Sequence, residues 1–332
     1  MANPPIIFTH YGNSRYLPYV LETARLTNPD KEVVLLGDEK NQWIGKEKGI
    51  THLRFADFDY GDKIDRFDRC YRPVQGPQHH HIKGGEDWLK FVFKRWFFVH
   101  NFLTSHHFDS FWHFDSDTMI LEPLADHEAK FESYECTEQC NGQCINGFVS
   151  GAAFVSRYLQ KINSIFEDTH FLEAKQQEIE SLHPNWAFTE MSAYECLKQA
   201  EPVRSIPLSS IIDGTTFDDC ICHDHGMQME RLFNGREIKK IYCLADGGFY
   251  GQNATTGKLV RMITLNFSWV PVVLFDVILN ELKKRNASPT TQSAPELDRM
   301  PSMNDMAWRT HLLHCLWWQL KNSSRKFRKS KA

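Results

Sequence analysis

The chain has 332 residues, of which 42% are hydrophobic and 13% aromatic, and a formal net charge of −4. That content allows a substantial core in one large domain, or in a domain with an appended lobe. The mildly acidic balance excludes a general basic footprint for nucleic acid, and no nucleic-acid partner is expected.

The opening residues carry neither a basic run nor a long apolar run, so no secretory signal is expected. A cytoplasmic location is expected, with the nine cysteines as reduced thiols. Two cysteine groups have some metal-ligand character: Cys136, Cys140 and Cys144, and Cys220, Cys222, His223 and His225. Neither has the usual paired zinc spacing, so free thiols are the expected state. His79 to His81 read as a solvated loop.

Ile6 to Thr9 read as a short buried strand that ends in a polar turn at Gly12. Ser14 is placed to cap a helix in which Tyr16, Leu17, Val20, Leu21, Ala24 and Leu26 fall near helical spacing. A second strand, Glu32 to Leu36, exits at Gly37 and Asp38, completing a strand–helix–strand unit. Residues 51–58 predict a third strand, and the polar residues 57–87 predict a long irregular loop or lid.

Trp88 to Leu103 predict a helix that is apolar almost all round, so Lys90, Lys94 and Arg95 must snorkel or meet anions. Ser110 to Phe114 predict a strand that closes on Asp115 and Asp117. Gly147 to Arg157 have the small-residue texture of a strand closely approached by a neighbour. Helices are expected at 157–181 and 188–199, and strands at 238–246 and 258–268. Met262 to Leu279 are broken by Asn266, Ser268, Pro271 and Asp276, which favours a buried strand and core helix over a membrane span.

Residues 286–304 predict a flexible connector. Residues 305–332 predict an aromatic C-terminal helix, capped by Asp305, and a basic tail suited to peripheral membrane contact.

Two carboxylates at positions i and i+2 of a strand end point to the same side. Hard oxygens in that arrangement suit Mg2+ or Mn2+, which keep open positions for phosphate oxygens. Haloacid-dehalogenase-type phosphatases also end a strand in Asp-x-Asp, but with a threonine two positions further on, usually on the first strand. Here Met119 holds that place, and the doublet lies more than a hundred residues into the chain.

Residues 6–39, then "KRWFFVHNFL", "FWHFDSDTMIL" and "NGFVSGAAFVSR", resemble nucleotide-sugar glycosyltransferases of the GT-A fold, over roughly residues 5–200. The resemblance implies an α/β fold with a mixed, mostly parallel sheet flanked by helices. It implies a catalytic domain at 1–285, with a Rossmann-like nucleotide-binding half at 1–121 and an acceptor half at 122–285. Thr9, His10, Tyr11 and Asp38 would lie by the base and ribose, and Arg95 would face the donor. Asp115 would lie toward ribose and metal, with Asp117 as principal metal ligand. Ser150 and Gly151 would be on the acceptor side, and Glu190 would contact the acceptor or act as general base. Asn266 stands where many relatives have a metal-binding histidine, and His223, Asp224 or His225 are alternative ligands.

The implied reaction moves a sugar from a nucleoside-diphosphate donor, expected to be UDP-linked, to a glycan or lipid-linked hydroxyl. The competing expectation is a catalytically silent domain of the same fold that binds glycans or a partner.

Overall fold

In this computed structural model, residues 3–79, 85–232, 234–287 and 302–307 are described. The predicted connector and C-terminal tail lie almost wholly outside the described residues, as do His80 and His81.

In chain order the elements begin with β1 (Ile6–Thr9), α1 (Leu17–Thr27), β2 (Val33–Gly37), α2 (Gln42–Lys48) and β3 (Thr51–Arg54). Next come α3 (Asp62–Cys70), α4 (Gly85–His106), β4 (Phe111–Phe114), β5 (Thr118–Ile120), β6 (Cys136–Gln139) and β7 (Cys144–Val149). Helices α5 (Ala152–Glu167), α6 (Thr169–Leu182) and α7 (Glu190–Ala200) follow. Then come β8 (Ser205–Pro207), β9 (Thr215–Thr216), β10 (Met229–Arg231), β11 (Glu237–Lys239) and β12 (Ile241–Cys243). The last are β13 (Phe249–Gln252), β14 (Leu259–Met262), β15 (Thr264–Asn266) and α8 (Val273–Ala287).

These elements form two compact units that interleave along the chain, whereas the sequence reading divides the catalytic region at residues 121 and 122. The first unit comprises Met1–Ser14, Asn28–Ser116 and Leu124–Ser210. The second comprises Arg15–Thr27, Asp117–Pro123 and Ile211–Ala332.

The first unit holds a seven-stranded sheet in the order β3-β2-β1-β4-β7-β6-β8. Strands β3, β2, β1 and β4 run parallel, β7 is antiparallel to both β4 and β6, and β8 is parallel to β6. The fold is therefore α/β, with a mostly parallel sheet flanked by helices. β1, β2 and β4 are buried along their whole length, as apolar runs in a covered parallel sheet should be. Ile7, Val34, Leu36, Phe111 and Val149 from the sheet join one core with Phe93, Trp96 and Phe97 of α4 and Tyr158 of α5.

The cations of α4 all meet anions. Lys90 pairs with Asp68, Lys94 with Asp59 and Asp68, and Arg95 with Asp115 and Glu190.

Three local expectations are corrected. The predicted irregular stretch at 57–87 contains α3, whose buried residues are only Ile64 and Phe67, too sparse an apolar face to read from sequence. The strand expected over Gly147 to Arg157 ends at Val149, and α5 begins at Ala152 after Gly151 at φ 150°. At the C-terminal turn, Ser302 rather than Asp305 is the cap. Its backbone N–H donates to the Asp305 carboxylate at 2.9 Å, and its hydroxyl accepts from the Asp305 N–H at 3.3 Å.

In the second unit, β12-β13-β14-β9 form a small sheet, β10 and β11 form a hairpin, and β15 pairs antiparallel with β5. The Met262–Leu279 stretch becomes β15 and the start of α8, and no helix among the described residues is long and apolar enough to cross a membrane. Arg261 and Arg285 both bond Glu122, at 2.8 and 3.0 Å.

The small-residue texture around Gly147 has a physical cause. Gly147 sits at φ 92°, and a Cβ there would press on the Thr137 hydroxyl and come within 2.6 Å of Leu208 Cδ1. Gly147→Ala is expected to destabilise the fold by about 2 to 4 kcal/mol through backbone strain and overpacking, measured by denaturant unfolding.

Candidate functional site

The sheet order places the switch in strand direction of travel between β1 and β4, where open α/β sheets bind ligands beyond the carboxyl ends of the strands. Both strands deliver polar residues there. Thr9 and His113 approach at 3.4 Å, and His10 Nδ1 and the Ser116 hydroxyl at 2.8 Å, so the loops leaving β1 and β4 are tied together.

The loop after β1 is fixed by the loop after β2. The Gly12 N–H donates to Asp38 Oδ2 at 2.8 Å, and the Lys40 N–H donates to Asp38 Oδ1 at 3.0 Å. Asn41 was not singled out in the sequence, yet it is fully buried and organises this corner. Its amide donates to the His10 and Gly12 carbonyls at 2.9 and 2.8 Å and accepts from the Asp38 N–H at 3.1 Å. The only sequence signal was an amide three residues beyond Gly37-Asp38, a common turn pattern. Tyr11, 56% exposed, lies beside Phe91 with Lys40 over its ring. Burial lowers the His10 pKa to about 4 against the pull of Asp38, so the ring is neutral near pH 7.

At the exit of β4 a guanidinium joins two carboxylates. Arg95 reaches Asp115 Oδ1 and Glu190 Oε1, each at 2.9 Å. The pair holds Arg95 firmly protonated despite its burial. Burial raises the Glu190 pKa, and Arg95 restrains that rise. Glu190 opens α7, and its backbone carbonyl accepts from the Tyr158 hydroxyl at 2.6 Å. Asn146 donates to Asp115 Oδ2 at 3.4 Å, while its own Oδ1 is buried without a partner. His113, packed on Trp96 at 4.7 Å between ring centres, is lowered to about 3 by burial and by Arg95.

The register of β4 with β7 pairs His113 with Gly147. Asn146 therefore falls at the Asp115 end of the sheet, and Ser150 and Gly151 fall at the other. Ser150 there lines a cavity of about 430 Å³ with Asn3, Asp109, Ser110 and Glu128. The predicted acceptor-side residues are thus not brought to Asp115. An antiparallel return of β7 reverses the end at which its residues emerge, and the sequence order does not reveal that reversal.

Asp117 belongs to the second unit, where the β5–β15 register pairs Thr118 with Asn266. The Ser268 hydroxyl donates to Asp117 Oδ2 at 2.9 Å. Asn266 Oδ1 accepts from the Ser268 N–H at 3.1 Å, and the Ser268 hydroxyl oxygen lies 2.7 Å from it. That engagement turns the amide nitrogen toward Asp117 Oδ1, at 3.4 Å. Asn266 thus lies beside Asp117, with its nitrogen rather than its oxygen facing the carboxylate. Asp218, fully buried, accepts from the Asn266 N–H at 2.9 Å and pairs with Lys239 at 2.6 Å.

The groups gathered at Asp117 are its own carboxylate, the Ser268 hydroxyl and the Asn266 amide, whose oxygen faces Ser268. These are hard donors of the kind Mg2+ and Mn2+ take, provided the amide turns over. Among the described residues, no three His, Cys, Asp or Glu side chains gather into a metal-ligand group. His225 Nε2 meets Asp219 at 3.2 Å, and the cysteines of the described residues are free thiols.

Arg95→Ala would leave Asp115 and Glu190 without their cation and is expected to cost about 3 to 5 kcal/mol in denaturant unfolding. Adding Glu190→Gln should recover part of that loss. A second expectation concerns acid stability. Unfolding returns His113 from about 3 to the ordinary value near 6.5, so the unfolded chain binds more protons within that window. Stability should therefore fall as pH drops below about 6.5, and His113→Phe should flatten the slope of unfolding free energy against pH by up to about 1.4 kcal/mol per pH unit.

No family model and no curated protein matches the sequence. Among solved structures, the chain is similar to an active-site mutant of LgtC at 10% identity, covering 87% of this chain and 97% of that one, with a TM-score of 0.38. It is also similar to mouse xyloside xylosyltransferase 1 at 9% identity, covering 64% of this chain and 87% of that one, with a TM-score of 0.41. A third likeness is to the glycosyltransferase GlyE of Streptococcus pneumoniae TIGR4, at 15% identity and a TM-score of 0.30. It covers 62% of this chain and 45% of that one, so the match spans under half of GlyE.

Proposed function

We propose that this protein is a glycosyltransferase that moves a sugar from a nucleoside-diphosphate donor to a hydroxyl of a glycan or lipid-linked acceptor. The observation that carries the reading is the polar corner at the β1–β4 switch point, where His10 meets Ser116 and Arg95 meets Asp115. The exposed ring of Tyr11 offers a stacking face for a nucleoside base, and the loop fixed by Asp38 and Asn41 presents main-chain groups to the ribose.

A divalent cation, Mn2+ or Mg2+, would be held by Asp117 with the Ser268 hydroxyl, and by Asn266 once its amide is turned over. Asp115 is the second acid of the pair, and Arg95 limits its negative charge. When bound, the cation neutralises charge on the departing diphosphate. The acceptor oxygen bonds to the anomeric carbon as the carbon–oxygen bond to the diphosphate breaks, and the leaving group keeps that electron pair. In an inverting transfer the acceptor's proton goes to a carboxylate. Glu190 is our candidate, because burial raises its proton affinity while Arg95 restrains it.

A second reading, a silent domain that binds nucleotide sugar or glycan without turnover, is favoured by one specific feature. Asn266 directs its nitrogen toward Asp117, an orientation that opposes a cation there.

The two readings separate in one experiment. The full chain is incubated with Mn2+ and a panel of nucleoside-diphosphate sugars, UDP-sugars first, and released nucleoside diphosphate is measured. Turnover that falls by about 100-fold or more in Asp117→Ala is the expected result. Saturable nucleotide binding without turnover would replace the transferase reading with the silent one.

A further inference from the structure

The loop that follows β15 carries a feature that neither the core nor the Asp117 cluster explains. Trp269 is 80% exposed, more than Leu182 at 67% or Trp186 at 61%. A single exposed aromatic would mean little by itself. Trp269, however, also has φ 69°, in the left-handed region that glycine favours and a bulky side chain rarely enters. A residue there would gain nothing structural from an indole: the ring is in water, and the backbone suits glycine.

The surrounding contacts hold this conformation in place. Arg236 donates from its guanidinium to the Trp269 carbonyl. The preceding residue, Ser268, is anchored to Asp117 and to the Asn266 amide oxygen. Buried Phe267 packs edge-on against Phe275 at 4.9 Å between ring centres, and its N–H donates to the Asp117 carbonyl at 2.9 Å. A fixed loop thus presents a flat apolar face one residue beyond a hydroxyl and near a carboxylate, all within the second unit. Strained residues held this way tend to occur where a ligand is gripped.

We infer that Trp269 is a stacking platform for a sugar ring of the acceptor saccharide. A pyranose has a face of polarised C–H bonds, which suits the negative face of an indole, and an edge of hydroxyls, which suits neighbouring oxygen acceptors. An amphipathic ligand of that shape matches an exposed indole in the loop that follows Ser268. The inference rests on the transferase reading for its assignment to the acceptor, whereas saccharide binding itself can be tested independently.

The test applies the full chain to an array of immobilised oligosaccharides, comparing wild type with Trp269→Gly and Trp269→Phe. Wild type should bind at least one saccharide class. Trp269→Gly should lose about tenfold or more of that affinity, and Trp269→Phe, which keeps an aromatic face, should retain most of it. Trp269→Gly should also melt at a higher temperature than wild type, because glycine relieves the left-handed strain. A structural role for the ring would give the opposite shift and would overturn the proposal.

No array binding by wild type, or equal binding by Trp269→Gly, would also overturn it without touching the donor-turnover result. Binding to vesicles of phosphatidylcholine and phosphatidylglycerol that depends on Trp269, with no saccharide bound, would replace it with a membrane contact. Saccharide binding that depends on Trp269 in a protein without donor turnover would keep the platform and remove the transferase reading.

Discussion

A guanidinium buried against two carboxylates ties together three elements of the first unit. Withdrawing Arg95 and Glu190 from water is costly, and only close geometry offsets that cost. The two 2.9 Å contacts therefore require three elements to meet at one point: the middle of α4, the exit of β4 and the first turn of α7. Trp96, the neighbour of Arg95 on α4, packs on His113 of β4 and on Tyr158 of α5, whose hydroxyl holds the Glu190 carbonyl. Packing and ion pairing thus agree on a single arrangement, which makes the corner rigid. A rigid polar corner is useful for holding a ligand because little ordering is left to be done on binding.

Asp117 answers to a different constraint. Its neighbours are set by the β5–β15 register, and a shift of one residue would turn Asn266 to the opposite face. The register is held from behind by buried Asp218, which grips the Asn266 N–H and the Lys239 ammonium. The orientation of the Asn266 amide is then decided by Ser268, whose N–H donates to its oxygen. The same serine precedes Trp269, so one short loop fixes both the polar surroundings of Asp117 and the exposed indole.

Part of this was legible from the chain alone. Apolar runs at Ile6 and Val33 announced buried strands, and they form where expected because both faces of each are covered. The cations of α4 announced anions because a helix apolar on nearly every side leaves them little water. Helix α3 was hidden, since only Ile64 and Phe67 of its residues are buried and the others, Cys70 apart, are charged. The pairing of β6 with β7 was hidden as well: only the end of β7, from Gly147, read as strand, and the residues before it read as a cysteine pattern. Asn41 gave only a faint turn signal, although three backbone groups depend on it.

The sequence by itself determined the α/β class, the strand that ends in paired acids and the need of Arg95 for a counter-charge. These follow from local periodicity and from the cost of burying charge, both readable within a few residues. Only the tertiary structure decided that Glu190, 95 positions away, shares Arg95 with Asp115. It likewise decided that Asn146 rather than Ser150 reaches the Asp115 end of the sheet, and that Asn266 turns its nitrogen to Asp117. Partners across strands and helices are selected by register and by competing hydrogen bonds. Neither leaves a periodic trace in the order of residues.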